Sequence, residues 1–196
     1  MAYSMDPSTD LCYEGTACLI NKFSIKDPQK LSELEAQITF AKAVMLDAEP
    51  IEGKFDFHHY KQIHQFLFCD LYDWAGQIRT TDISKKRTNF LRAQDISDVA
   101  TRCFAKVEQG FLDNLSFDAF ASRVAELYHD INYIHPFREG NGRTQRIYFT
   151  QLIRAYGYDI NFSEVDTDLL MIATIQAAGG VMDLLTAFFK ESITHP

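Results

Sequence analysis

The stretch "YIHPFREGNGRTQRIY", residues 133–148, sets a His, a Glu, two Gly, an Asn and two Arg around the start of a helix. Apolar residues at Phe120, Val124, Leu127, Tyr128 and Ile131 recur every three or four positions behind a candidate cap at Ser116, so a helix leads into it. Pro136 ends that helix, because the residue before a proline is pushed away from helical angles. A second helix is expected from near Gly142 to about Tyr156, with Gly157 as its breaker. The stretch is therefore a loop between two helices.

A helix N-terminus presents unpaired N–H groups and a positive dipole end, which attract anions. Gly140 and Gly142 let a backbone approach a ligand closely. Asn141 either caps the helix or donates to a phosphate oxygen. Arg143 and Arg146 lie three apart on one face, and their planar forks suit phosphates. Glu139 is a hard oxygen ligand, and magnesium is commonly held by one or two carboxylates plus substrate phosphates. His135 takes up protons near neutral pH. Phe137 is expected to pack inward and fix the loop. The chemistry suggested is phosphoryl or nucleotidyl transfer to a hydroxyl that His135 deprotonates, driven by positioning and charge stabilisation. Singly these features are commonplace: a His-Pro is usually structural, a Gly-Asn-Gly usually a turn, and two helical arginines usually a solvated face. Their order on one helix-loop-helix is what carries weight.

Outward from the loop, helical periodicity dominates. Asp27 and Pro28 open a helix whose expected inner face is Leu31, Leu34, Ile38, Ala41 and Met45. Another helix is expected from Asp56 to about Tyr72, broken at Gly76, and another over about 95–110. Two more are expected at about 164–177 and 181–191. Ile78, Thr80, Thr81, Ile83 and Phe90 favour strands, with "KKRTN" as a hairpin tip. The fold class is all-α, with one short β-hairpin.

The 196 residues suggest one domain, and 46% hydrophobic against 23% charged residues is ordinary for a globular chain. No apolar run reaches the roughly 20 residues a membrane helix needs. A net charge of −8 argues against broad binding to nucleic acid or anionic membrane. The start "MAYSMDPSTD" lacks the pattern of a signal peptide. Cys12, Cys18, Cys69 and Cys103 form no zinc or C-x-x-C spacing, so reduced thiols and a cytoplasmic location are expected, with Cys69 and Cys103 in the core.

"HPFREGNGRTQR" resembles the signature H-P-F-x-[D/E]-G-N-G-R-x-x-R of the Fic (filamentation induced by cAMP) family at every specified position. "LYDWAGQIRTTDISK" is similar to the family segment leading into its flap, and "YEGTACLINKFSI" to the start of its bacterial cell filamentation branch. The resemblance implies a Fic helical bundle spanning 1–196, with a core over about 55–190 and an N-terminal helical extension over about 1–50. It implies transfer of AMP from ATP to a Tyr, Ser or Thr hydroxyl of a target protein. His135 is then the general base and Glu139 the Mg2+ ligand. Gly140, Asn141 and Gly142 form the anion hole, Arg143 meets the β-phosphate and Arg146 the γ-phosphate. Pro136 and Phe137 give structural support. The hairpin over 81–91, with Ile83, Ser84, Lys85, Lys86, Arg87 and Phe90, is the flap that docks the target by strand addition. Its basic tip either selects an acidic target or keeps an exposed edge soluble. Gly142 separates this signature from the related Doc kinases, which resemble it but carry Lys there. The family's inhibitory motif [S/T]-x-x-x-E-[G/N] has no copy here. A separate small antitoxin-like protein that supplies a Glu to Arg146 is therefore expected.

Other readings compete. His58, His59 and His64 share one helix, and Glu126 and His129 form one E-x-x-H, but a di-iron bundle needs two such motifs. No G-x-G-x-x-G follows a strand. A non-catalytic nucleotide-binding regulatory module, or a variant transferring another phosphate-containing group, has the same signature chemistry available.

Overall fold

The computed structural model describes residues 4–5, 11–85 and 88–195, with backbone alone at Ser4, Met5, Lys85 and Thr88. Among them run α1 (Pro28–Ala48), α2 (Phe57–Phe68), α3 (Ile96–Glu108), α4 (Phe117–Ile134), α5 (Asn141–Ala155), α6 (Thr167–Ala178) and α7 (Asp183–Ser192). Four of the helices begin where a short polar side chain supplies the missing acceptor. Asp27 accepts from the amides of Gln29 and Lys30, Asp56 from His59, Ser116 from Ala119, and Asp166 from Asp168 and Leu169.

The core lies around α4 and α5. α4 packs on α3, α5, α6 and α7, and α5 on α1, α2 and α4. Tyr148, Phe149, Leu152 and Ile153 of α5 are fully buried with Phe120, Val124 and Leu127 of α4. The Gln145 amide donates to the Tyr128 carbonyl at 2.8 Å, a buried polar tie between the two helices. Apolar burial on this scale is the main stabilising term, and it leaves the α4–α5 loop between two rigid rods.

Three expectations are corrected. The buried stripe of α1 is Leu31, Glu35, Thr39 and Leu46, whereas Ala41 and Met45 face solvent. The helix is rolled so that a carboxylate and a hydroxyl, rather than two apolar residues, point at α5. Second, α2 ends at Phe68 rather than near Tyr72, and a turn beyond it still buries Leu71 and Tyr72. Third, Cys69 is half-buried with its sulfur 3.2 Å from Lys42 Nζ; Cys103 is in the core, where burial pushes its thiol up to about 12.

The hairpin is shorter than its β-favouring residues suggested: β2 (Ile83–Lys85) pairs with β3 (Thr88–Asn89). Ile78, Thr80 and Thr81 lie outside it, since the Arg79 amide bonds to the Pro136 carbonyl at 2.8 Å instead of a strand. On the other edge of β2 lies β1 (Ser4–Met5), antiparallel, with Ser4 opposite Ser84 and Met5 opposite Ile83. A second small sheet pairs β4 (Asp159–Ile160) with β5 (Ile193–Thr194). Neither β1, β4 nor β5 carries a strand pattern of useful length in the sequence.

Candidate active site

His135 follows the last residue of α4 and adopts left-handed angles, φ 45 and ψ 61. The proline rule correctly removes it from the right-handed helix, but it turns to the left-handed region rather than to an extended one. That conformation costs roughly 1–2 kcal/mol for a non-glycine residue, and two hydrogen bonds offset it. The His135 amide donates to the Ile131 carbonyl at 3.1 Å, and Nδ1 lies 3.0 Å from the Asn132 carbonyl oxygen. A carbonyl only accepts, so Nδ1 carries the proton and the lone pair sits on Nε2. Phe90, just past β3, stacks on the imidazole at 3.8 Å.

The loop beyond it is held from inside. Phe137 is fully buried and stacks on His64 at 3.7 Å and on Tyr60 at 5.6 Å. The Asn141 side chain accepts from the Phe137 amide and donates to the Phe137 carbonyl, both at 2.8 Å. The expectation that this amide caps α5 is thereby corrected: the side chain bridges the Phe137 backbone instead. The N-cap of α5 is Gly140, with no side-chain cap. The first intrahelical bond runs from the Thr144 amide to the Gly140 carbonyl. The amides of Asn141, Gly142 and Arg143 thus open the helix without an intrahelical acceptor.

The two glycines differ. Gly140 has φ +80, and a Cβ there would stand 2.2 Å from the Phe68 ring. Gly142 has ordinary helical angles, and a Cβ would meet only the Arg146 Nη1 at 3.5 Å. Gly140 is required by the fold, whereas Gly142 leaves room beside Arg146. Glu139 is half-buried and accepts from the Gly140 amide at 2.9 Å.

Arg143 is anchored by residues that the sequence did not single out. Glu35 on α1 meets its Nη2 at 2.5 Å, Thr39 accepts from Nη1 at 3.2 Å, and Glu139 lies 3.7 Å away. The Tyr72 hydroxyl donates to the same Glu35; burial first, then that carboxylate, push the phenol far above its usual range. Arg146 lies one turn on and makes no ion pair among the described residues. A cavity of about 680 Å³ borders both arginines, between α1, α5 and residues 159–163. Of the flap residues, Ile83 is buried, Ser84 half-buried and Lys85 in β2 by its backbone; Lys86 and Arg87 lie outside the described residues.

His64 serves the loop too. Nδ1 accepts from the Gly76 amide at 2.8 Å and Nε2 donates to the Glu139 carbonyl at 3.0 Å. Burial drives its pKa down to about 3, so it stays neutral. His59 faces elsewhere, its Nδ1 on the Phe55 amide, and Glu126 pairs with Arg123. No group of three or more metal-ligating side chains occurs among the described residues.

Residues 54–153 match the Fic/DOC family. The chain belongs to that family. It is 37% identical over 187 residues to the "Probable protein adenylyltransferase y4lH" of Sinorhizobium fredii, covering 93% of this chain and 95% of that one. It is 34% identical over 193 residues to the protein adenylyltransferase VbhT of Bartonella schoenbuchensis, covering 98% of this chain but only 40% of that relative's length. Among solved structures, the Fic domain of a VirB-translocated Bep effector of Bartonella quintana with bound ADP superposes with a TM-score of 0.87 at 30% identity. That match covers 95% of this chain and 94% of that one. The BepC protein of Bartonella tribocorum with bound AMPPNP gives 0.86 at 28%, covering 95% and 97%. The all-α Fic fold is therefore the fold of this chain.

Two outcomes follow from this geometry. Gly140→Ala should lower the melting temperature by several degrees, while Gly142→Ala should leave it nearly unchanged; equal losses would contradict the contrast. Because the unfolded chain protonates His64 near its ordinary value and the folded chain does not until about 3, stability should fall as pH drops below about 6.5, by ~1.4 kcal/mol per unit. Urea unfolding across that range should show a shallower slope for His64→Gln; identical slopes would place the linkage elsewhere.

Proposed function

We propose that the protein is a protein adenylyltransferase. The observation that carries this reading is the 3.0 Å contact of His135 Nδ1 with the Asn132 carbonyl oxygen, which assigns the proton to Nδ1 and the lone pair to Nε2, on the loop that leads through Glu139 into the uncapped α5 with Arg143 and Arg146. Nε2 takes the proton of a Tyr, Ser or Thr hydroxyl of a target protein. The hydroxyl oxygen bonds to the α-phosphorus of ATP, the bond from that phosphorus to the β-bridging oxygen breaks, and pyrophosphate leaves. The first amides of α5 and the guanidinium groups stabilise the charge as it moves. Arg143, held by Glu35, presents its charge without first ordering a long side chain.

The residues also fit a magnesium ion. Glu139 offers one carboxylate beside the anion-binding amides, and the lack of a ready-made cage among the described residues suits an ion that takes most of its ligands from phosphate and water. When bound, Mg2+ supplies charge neutralisation at the phosphates. The flap would align the target as an added strand. The outer edge of β2 carries Ser4–Met5, so a strand added there replaces a short intramolecular one.

A separate antitoxin-like protein is proposed to restrain the enzyme by placing a carboxylate on Arg146. What supports this is the cavity bordering Arg146, rimmed by Phe40 and Val44, which are 73% and 55% exposed.

With Mg2+ and a cell lysate, α-labelled ATP should label protein and γ-labelled ATP should not, and His135→Ala should lower labelling by about 10²-fold or more. Label from the γ position alone would make the protein a kinase. The isolated chain should label its target without any activating substitution. If it binds ATP yet stays silent until Glu35→Gly is introduced, the restraint lies inside this chain and the separate partner is wrong.

A further inference from the structure

Six consecutive carbonyls run from the last turn of α4 to the residue after His135, and each has a donor. Ile131 and Asn132 are served by His135 itself, through its amide and Nδ1. The other four donors come from the segments that frame the hairpin. The Leu91 amide bonds to Tyr133 at 3.0 Å, and the Arg79 amide to Pro136 at 2.8 Å. The Arg79 guanidinium bonds to Ile134 through Nη2 at 3.4 Å and to His135 through Nε at 2.9 Å.

The same guanidinium reaches the other way. Nη1 donates to the Thr81 carbonyl at 2.7 Å, and Nη2 to the Leu91 carbonyl. Thr81 and Leu91 stand on the two flanks of the β2–β3 hairpin. Arg79 is 4% exposed, and Asp82, whose Oδ1 also accepts from the Ala93 amide, lies 4.0 Å from Nη1. The planar fork has donors pointing along several fixed directions at once, which a lysine ammonium on a flexible stem does not reproduce. Its charge also sits at the C-terminal end of α4, where a helix dipole favours a cation.

We infer that Arg79 is a positioning residue that fixes both flanks of the hairpin to the backbone of His135, so that a strand added to the hairpin meets Nε2 in one register. What the added strand is rests on the adenylyl-transfer reading; the mechanical coupling does not. Arg79 touches neither nucleotide-facing arginine in any bond given above. Its loss therefore separates alignment of the acceptor from binding of the nucleotide.

Arg79→Lys and Arg79→Met, each checked for folding by thermal melting, test this. ADP affinity should stay within about twofold of the parent, while transfer of α-label to lysate protein should fall by about 10²-fold, the scale expected for a misplacement near 1 Å. The amides of Leu91 and His135 should exchange faster with deuterium, and by similar factors. Transfer within about twofold of the parent, or faster exchange at Leu91 with none at His135, would overturn the inference. The unmutated protein gives an independent reading. In low guanidinium the Leu91 and His135 amides should share one opening free energy, and two clearly different values would refute the coupling even if neither variant folds. Because exchange needs no catalysis, it decides the coupling even if no label is transferred.

Discussion

A loop buried on both sides must find partners for every backbone polar group without help from water. Residues 135–138 are all buried, yet they form neither helix nor strand. The loop exists because other parts of the chain supply the missing partners: Asn141 from within, His64 from α2, and Arg79 and Leu91 from around the hairpin. The alternative, an unpaired buried carbonyl or amide, costs about 1–3 kcal/mol each time. The left-handed turn at His135 is affordable only in that setting, and it is the turn that aims the imidazole.

The same economy sets the electrostatics. Four helices close their N-termini with Asp or Ser, but α5 begins at Gly140 with none. The amides at its start have no side-chain cap. Arg143 is held in place by a chain from Tyr72 through Glu35, with Thr39 beside it. These groups explain why α1 turns a carboxylate, rather than Met45, toward the core. α1 is thus part of the site, although residues 54–153 are the portion matched to the Fic/DOC family.

Much of this was legible in the sequence. The loop between two helices, the caps at Asp27 and Ser116, the inward Phe137 and the hairpin all follow from local rules of periodicity, capping and turn chemistry. What was not legible depends on long-range pairing. Glu35 draws no attention in the sequence, because its partner lies 108 positions away. His64 looked like one of a trio of histidines, since nothing in its neighbourhood announces that it holds the Glu139 carbonyl. Arg79 sits inside "WAGQIR", where nothing local shows that it is buried against the α4–α5 loop. The Asn141 side chain suits either a cap or a phosphate donor, and only the fold decides that it bridges Phe137.

The central claim is that His135 is held, before any ligand binds, with its proton on Nδ1 and its lone pair on Nε2. Nitrogen-15 chemical shifts of the His135 imidazole, recorded above its titration in protein labelled on histidine, read this directly. The account predicts a protonated, pyrrole-like Nδ1 and an unprotonated, pyridine-like Nε2. The opposite pattern, or rapid averaging of the two tautomers, would mean that the Asn132 carbonyl does not set the base, and the proposed role of His135 would lose its foundation.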